Sequence, residues 1–336
     1  MATRRRLLLA GLCGLAAPAA LGRAAGADTI VNASHDSTRE LYRALNAAFA
    51  EQWRARDGRA PTIDQSHAGS ARQARAVIAG LEADVATLAL AADIDAIADQ
   101  GLIARDWAGR LPNESCPFTS AVVLAVRKGN PKRIRDWDDL VRPDVAVLTP
   151  NPKTSGGARW NFLAAWGYAL RKRGGDEAAA RRFVAELFAN VPVLENDARA
   201  ATLAFAGRGL GDALVAWESE ALRALDSGVE GLEIVLPSLS ILAELPVAVV
   251  DRVAEKRGTR ALAEAYLGFH YAPEAQEIAA QQFYRPREAG AAARHRARFP
   301  ALELFTVAEL FGGWREAQSK HFAEGGTFDA IAGGRR

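Results

Sequence analysis

The sequence predicts an α/β protein built as two lobes, and three observations carry that reading. Short β-branched runs alternate with helical patterns of about 10–15 residues, the signature of largely parallel sheets flanked by helices. The chain has 336 residues, 49% hydrophobic and 24% charged, enough for about two domains with their own cores. No Gly-, Pro- or Ser-rich linker separates the halves. The chain is therefore expected to cross between lobes twice, near residues 121–130 and 237–246, rather than to string two domains in series. Double crossing leaves a cleft between the lobes, where a ligand would sit.

The first element is a leader. Arg4, Arg5 and Arg6 precede an uncharged run from Leu7 to Leu21, and Ala25-Gly26-Ala27 supplies a small-x-small exit. Positive start, short apolar middle and A-x-A site describe a secretory signal over residues 1–27, cut near Ala27. A spanning helix needs about 20 apolar residues, so a retained anchor fits worse. The arginine cluster also resembles a twin-arginine signal. Removing Arg4, Arg5, Arg6 and Arg23 takes 42 basic residues to 38, against 40 acidic, a net of −2. That balance excludes a strongly basic nucleic-acid binder. Cys13 leaves with the leader, and Cys116 alone gives no disulfide scaffold and no cysteine zinc site. The mature chain is expected to be periplasmic, not membrane-embedded, and a monomer.

The remaining elements come in order. Thr29 to Ala33 reads as a buried strand, and Leu41, Leu45, Ala48 and Phe49 mark one face of a helix. Pro61 to Gln65 is a strand, Ser66 to Ser70 a small-residue turn, and Ala71 to Leu81 a helix. Asp84 to Leu90 is a third strand, before a helix near Ile94 to Ala98. Ala121 to Val126 is the longest β-branched run of the first half. Strands at 145–148, 191–194, 213–216 and 233–236 then alternate with helices at 137–140, 158–170, 178–188 and 200–205. After a strand at 247–250 the chain is mostly helical, at 260–266, 273–282 and 307–322. Lobe I is expected to hold residues 28–122 and about 246–300, and lobe II about 123–245. The helical segment 301–336 goes to neither by sequence alone.

Catalytic signatures are poor. There is no H-E-x-x-H, P-loop or G-x-S-x-G elbow. His35, His67, His270, His295 and His321 show no metal-ligand spacing and read as surface or capping residues. What recurs is a small-residue turn just before a helix: Ser34 to Ser37, His67 to Ser70, Thr154 to Ala158, and Asn196 to Ala198. A helix start leaves N–H groups unpaired and carries about half a positive charge. Small residues let an oxyanion approach those groups closely. Each turn alone could be a plain N-cap; four of them at strand ends, in both lobes, point to an anion.

At these residues the sequence resembles the periplasmic sulfate-binding proteins that feed ABC importers. The resemblance runs through Ser34 to Tyr42, Gln65 to Ser70 and Glu82 to Leu90. It is most specific in Thr149-Pro150-Asn151-Pro152-Lys153-Thr154-Ser155-Gly156-Gly157-Ala158-Arg159-Trp160-Asn161. Later segments agree: Ala216-Trp217-Glu218, Gln276 to Ala279, Tyr284 to Arg287 and Phe311 to Trp314. It covers the whole mature chain in one register. It implies the two-lobed periplasmic-binding-protein fold (type II), each lobe a mostly parallel sheet flanked by helices. It also implies a dehydrated sulfate held by neutral donors: backbone N–H of Asp36, hydroxyls of Ser70 and Ser155, N–H of Gly156, Gly157 and Ala198, and the Trp217 indole. Arg39 and Arg199 would balance nearby acids such as Asp36 without touching sulfate. Two departures stand out, Ala68 where the family usually has glycine, and Asp197-Ala198-Arg199-Ala200 in place of Gly-Ala-Arg-Gly. Neither cofactor nor metal is implied, and the partners are sulfate and the permease subunits of an ABC importer. Thiosulfate fits the same donors. An exported sulfate- or phosphate-ester hydrolase would need an activated nucleophile or a metal, and Ser70 and Ser155 have no sequence-evident base.

Overall fold

The computed structural model describes residues 28–228 and 231–334; the leader expected over residues 1–27 lies outside them. The strands in chain order are β1 (Thr29–His35), β2 (Thr62–Ala68), β3 (Val85–Thr87), β4 (Phe118–Arg127), β5 (Val147–Pro150) and β6 (Leu194–Glu195). They continue with β7 (Ala213–Trp217), β8 (Leu232–Val235), β9 (Ser240–Leu245), β10 (Val247–Val249), β11 (Arg285–Pro286) and β12 (Leu304–Phe305). The helices used below are α1 (Arg39–Asp57), α2 (Ser70–Ile78), α3 (Ala91–Asp99), a single turn α4 (Pro112–Ser115), α5 (Gly156–Lys172), α6 (Glu177–Ala189), α7 (Ala198–Ala206) and α8 (Glu218–Asp226).

These strands make two sheets, one per lobe. The smaller has the order β10-β3-β1-β2; it is parallel except for β10, which runs against β3. The larger has the order β12-β9-β4-β7-β5-β6, with β8 and β11 also on β4. It is mixed rather than mostly parallel. β5, β6 and β7 are parallel, but β4 runs antiparallel to β7, β8 and β9. The reason is the route of the chain: β4 is fed from the smaller sheet and runs through the larger one against its other strands. β4 enters at Phe118, upstream of the crossing expected at 121–130, and nine of its ten residues are buried. The return passes through Pro246, between β9 in one sheet and β10 in the other. Segment 240–245, expected as connection, is thus a strand.

Local chemistry explains the elements. Leu41, Leu45 and Phe49 form the buried stripe of α1, which ends where Gly58 adopts φ +80° and returns its N–H to Arg54. α5 is buried nearly all round, with Trp160, Phe162, Leu163 and Trp166 inside, because it lies between the larger sheet and the C-terminal segment. The helix expected over 307–322 breaks at Gly312 and Gly313, whose φ angles are +70° and +101°. β2 runs on to Ala68, paired with His35, so the turn expected at 66–70 shrinks to Gly69.

The histidines are expected at the surface or at caps; His35, His270 and His321 are instead buried, at 2%, 0% and 0% exposed, though His35 and His270 do stand at helix caps. His270 packs against Tyr42, Phe118 and Tyr266, and His321 against Phe162, Trp166 and Phe311. Neither ring of these two has a hydrogen-bond partner. Burial therefore holds them neutral, pushing His270 down to about 3 and His321 to about 4. A lowered folded-state pKa gives stability that is present above the unfolded value and lost as pH falls below about 6.5. His270→Phe is expected to flatten acid unfolding, recovering about 2–3 kcal/mol at pH 4.5 at one pKa unit per 1.36 kcal/mol. Denaturant melts at pH 4.5 and 7 check it; an unchanged pH slope would refute it.

Candidate functional site

Five connections between a strand and the following helix converge where the two lobes meet. Asp36 follows β1, Ser70 opens α2 after β2, Ser155 caps α5 after β5, Ala198 opens α7 after β6, and Trp217 ends β7 at the start of α8. All five lie at carboxyl ends of parallel strands, where open α/β sheets place ligands. The smaller sheet supplies the first two, the larger sheet the rest.

Gly157 is the centre of the arrangement. A Cβ built on it would stand 3.5 Å from Ala198 Cβ, 3.5 Å from Trp217 Nε1 and 3.6 Å from Ser155 Oγ. Ser155 Oγ accepts the Ala158 N–H, which leaves its own proton to donate. Trp217 is 3% exposed, yet its Nε1 has no hydrogen-bond partner. A buried indole N–H normally finds one. Asn161 fixes α5 over the sheet, its Nδ2 donating to Thr149 Oγ1 (3.1 Å) and Val215 O (2.8 Å). Pro150, Gly157, Asn161, Ala198, Trp217 and Glu220 line one small cavity.

The other lobe presses close. A Cβ on Gly156 would come within 2.8 Å of Ala89 Cβ and 3.0 Å of Ser70 Cβ, and one on Gly69 within 2.9 Å of Thr154 O. Trp160 Nε1 donates to Ala89 O at 2.8 Å. Ser70 Oγ donates to Asp93 Oδ2 at 2.6 Å and accepts the Ala89 N–H at 3.0 Å. An anion that draws the Ser70 proton must take it from Asp93, whose Oδ1 keeps the buried Arg159 guanidinium at 3.3 Å. Sequence reasoning does not single out Asp93; Arg159 lies inside the most specific block without a role.

Asp36 stands one residue beyond His35, at the end of β1. The His35 ring stands edge-on to Trp217, with centroids 5.5 Å apart. Burial, then the charge of Asp197, push the Asp36 carboxyl up to about 6, against the Arg39 charge and the Arg199 backbone N–H, which lower it. Glu220, behind Trp217, is pushed up to about 7 by burial and by Asp36. Arg199 pairs with Glu40 at 3.4 Å rather than with Asp36. Asp197 caps α7 through Ala200. No group of His, Cys, Asp or Glu among the described residues could hold a metal, and none of their helices is long and apolar enough to cross a membrane.

A cleft between two α/β lobes, closed on helix starts and an unpaired indole N–H, is the architecture of a solute-binding protein. The chain belongs to the bacterial extracellular solute-binding protein family, whose pattern matches residues 30–285. It is 57% identical over 304 residues to the sulfate-binding protein of Salmonella typhimurium, covering 90% of this chain and 92% of that one. It is 52% identical over 330 residues to the thiosulfate-binding protein of Pseudomonas aeruginosa, covering 97% and 98%. Among solved structures, the sulfate-binding protein SubI of Mycobacterium tuberculosis matches with a TM-score of 0.78 at 32% identity, covering 87% of this chain and 98% of that one.

Proposed function

We propose that this protein binds sulfate in the periplasm and delivers it to an ABC-type importer, without catalysing a reaction. The observation that carries the reading is the buried, unpartnered Trp217 Nε1 beside Gly157, Ala198 and Ser155 Oγ. The anion would accept backbone N–H groups of Asp36, Gly156, Gly157 and Ala198, the Ser155 and Ser70 hydroxyls, and the indole. Ser70 would turn its proton from Asp93 to the anion. All these donors are neutral, so the dianion is held by oriented dipoles at helix starts. The secreted form would begin near Asp28 and act as a monomer, with lobe I formed by residues 28–122 and about 246–300, and lobe II by about 123–245. Thiosulfate is the second reading, supported by the 52% identical thiosulfate-binding relative.

Isothermal titration with sulfate, thiosulfate, molybdate and phosphate tests the proposal, with ester hydrolysis assayed alongside. Sulfate or thiosulfate binding without hydrolysis is expected; heat from neither would overturn it. Trp217→Phe keeps most of the packing and removes one donor. It is expected to weaken sulfate binding by about 1.5–3 kcal/mol, as for a hydrogen bond to a charged group. An unchanged dissociation constant would make Trp217 a packing residue only.

A further inference from the structure

Building on the sulfate reading, we propose that Asp197 sets the affinity of the site, its carboxylate competing with the bound anion for the N-terminus of α7. Asp197 is extended, at φ −149° and ψ 170°, and its Oδ1 accepts the Ala200 N–H at 2.8 Å. That takes one of the first three N–H groups of α7 and leaves those of Ala198 and Arg199 to the ligand. A helix start carries about half a positive charge. The capping carboxylate offsets much of that charge before the ligand arrives, and then repels the ligand itself.

A second observation, on the facing wall, agrees. Asp36 Oδ2 is buried without a hydrogen-bond partner, and Asp36 and Asp197 come from different lobes. The charge of Asp197 reaches the Asp36 carboxyl, and two coupled carboxylates from opposite lobes oppose closure of the cleft. The surrounding cations offset this only in part. Arg199 and Arg223 are turned to Glu40, at 3.4 and 3.9 Å. Arg39 lies near Asp36, while Arg72 and Arg75 share the wall of a neighbouring cavity with Asp197. Glu220, in the first turn of α8, adds a further acid. His35 and His67 are held neutral by burial.

The test uses Asp197→Ser and Asp197→Asn, both of which keep an N-cap acceptor and remove the charge. Sodium sulfate is titrated into the mature wild type and both variants at pH 7.5, with thermal melts of each. Both variants are expected to bind at least tenfold more tightly, with melting temperatures within a few degrees of wild type. That split between affinity and stability is what a purely structural cap would not produce. Sulfate binding in all three proteins at equal affinity, or weaker in the variants, overturns the inference and leaves the sulfate reading standing. Failure of all three to bind sulfate removes both. Binding by the variants alone supports the inference in its strongest form.

Discussion

Gly157→Asp is expected to abolish sulfate binding, by at least a thousandfold, in a protein that still folds. The Cβ itself fits, since its neighbours would lie at 3.5–3.6 Å, ordinary contact distances. The carboxylate beyond the Cβ decides the outcome. It would lie among Trp217 Nε1, the Ser155 hydroxyl and the start of α7, where it takes over donors meant for the ligand. An acid in the first turn of α5 also favours the helix dipole, so stability is kept or raised. Sulfate would then meet a fixed negative charge in a water-poor cleft, where like charges repel strongly. Gly157→Ala separates crowding from charge and should lose far less. Calorimetry with thermal melts decides the matter: binding by Gly157→Asp within tenfold of wild type would show that the anion lies elsewhere.

Phosphate is expected to bind at least a thousandfold more weakly than sulfate. Near neutrality sulfate is fully ionised and only accepts hydrogen bonds, whereas phosphate keeps at least one proton. The groups proposed to touch the anion are all donors, so that proton would be buried without an acceptor, at about 1–3 kcal/mol or more. Ser155 or Ser70 could turn to accept it only by withdrawing its own bond from the ligand. Sites that reject a ligand for one mismatched polar group reach discrimination of about 10⁴–10⁵-fold. Glu220 lines the same small cavity as Gly157 and Trp217, and Asp36 is its electrostatic neighbour; these two carboxyls give the experiment its edge. Phosphate displacing sulfate at comparable concentration would mean that one of them accepts the proton and that the site is not made of donors alone.

Much of this molecule is legible in its residues. The small-residue turns are readable because an anion site at a helix start needs little more than backbone and absent side chains, and both are visible as Ser, Gly and Ala. Strand positions such as 121–126 are readable because β4 is buried on both faces and its run is continuously apolar. β9 is less so: Ser240, Ala243 and Glu244 dilute the pattern, and its strand character comes from pairing with β4 far away in sequence. The buried histidines escape for a related reason. Tyr266 and Phe322 stand nearby in the chain, but the rings that complete the two pockets, Phe118 and Trp166, arrive from distant elements. Trp217 is reached only through the family resemblance, since an isolated tryptophan at the end of a strand reads as core. Asp93 needs the structure, because its partners Ser70 and Arg159 lie 23 and 66 residues away.

The glycines at the seam between the lobes make the closed cleft a gauge. Gly69 and Gly156 lie so near the opposite wall that even a methyl group would be in the way, so the two walls have one seating distance and almost no slack. Packed surfaces do not yield smoothly; they meet or stay apart. An anion too wide for that distance would then do more than bind weakly. It would prop the jaws open by its own excess width, and the Trp160 and Arg159 contacts that span the seam would not form. On the sulfate reading, size would thereby be converted into shape, the width of the anion setting how far the two walls meet.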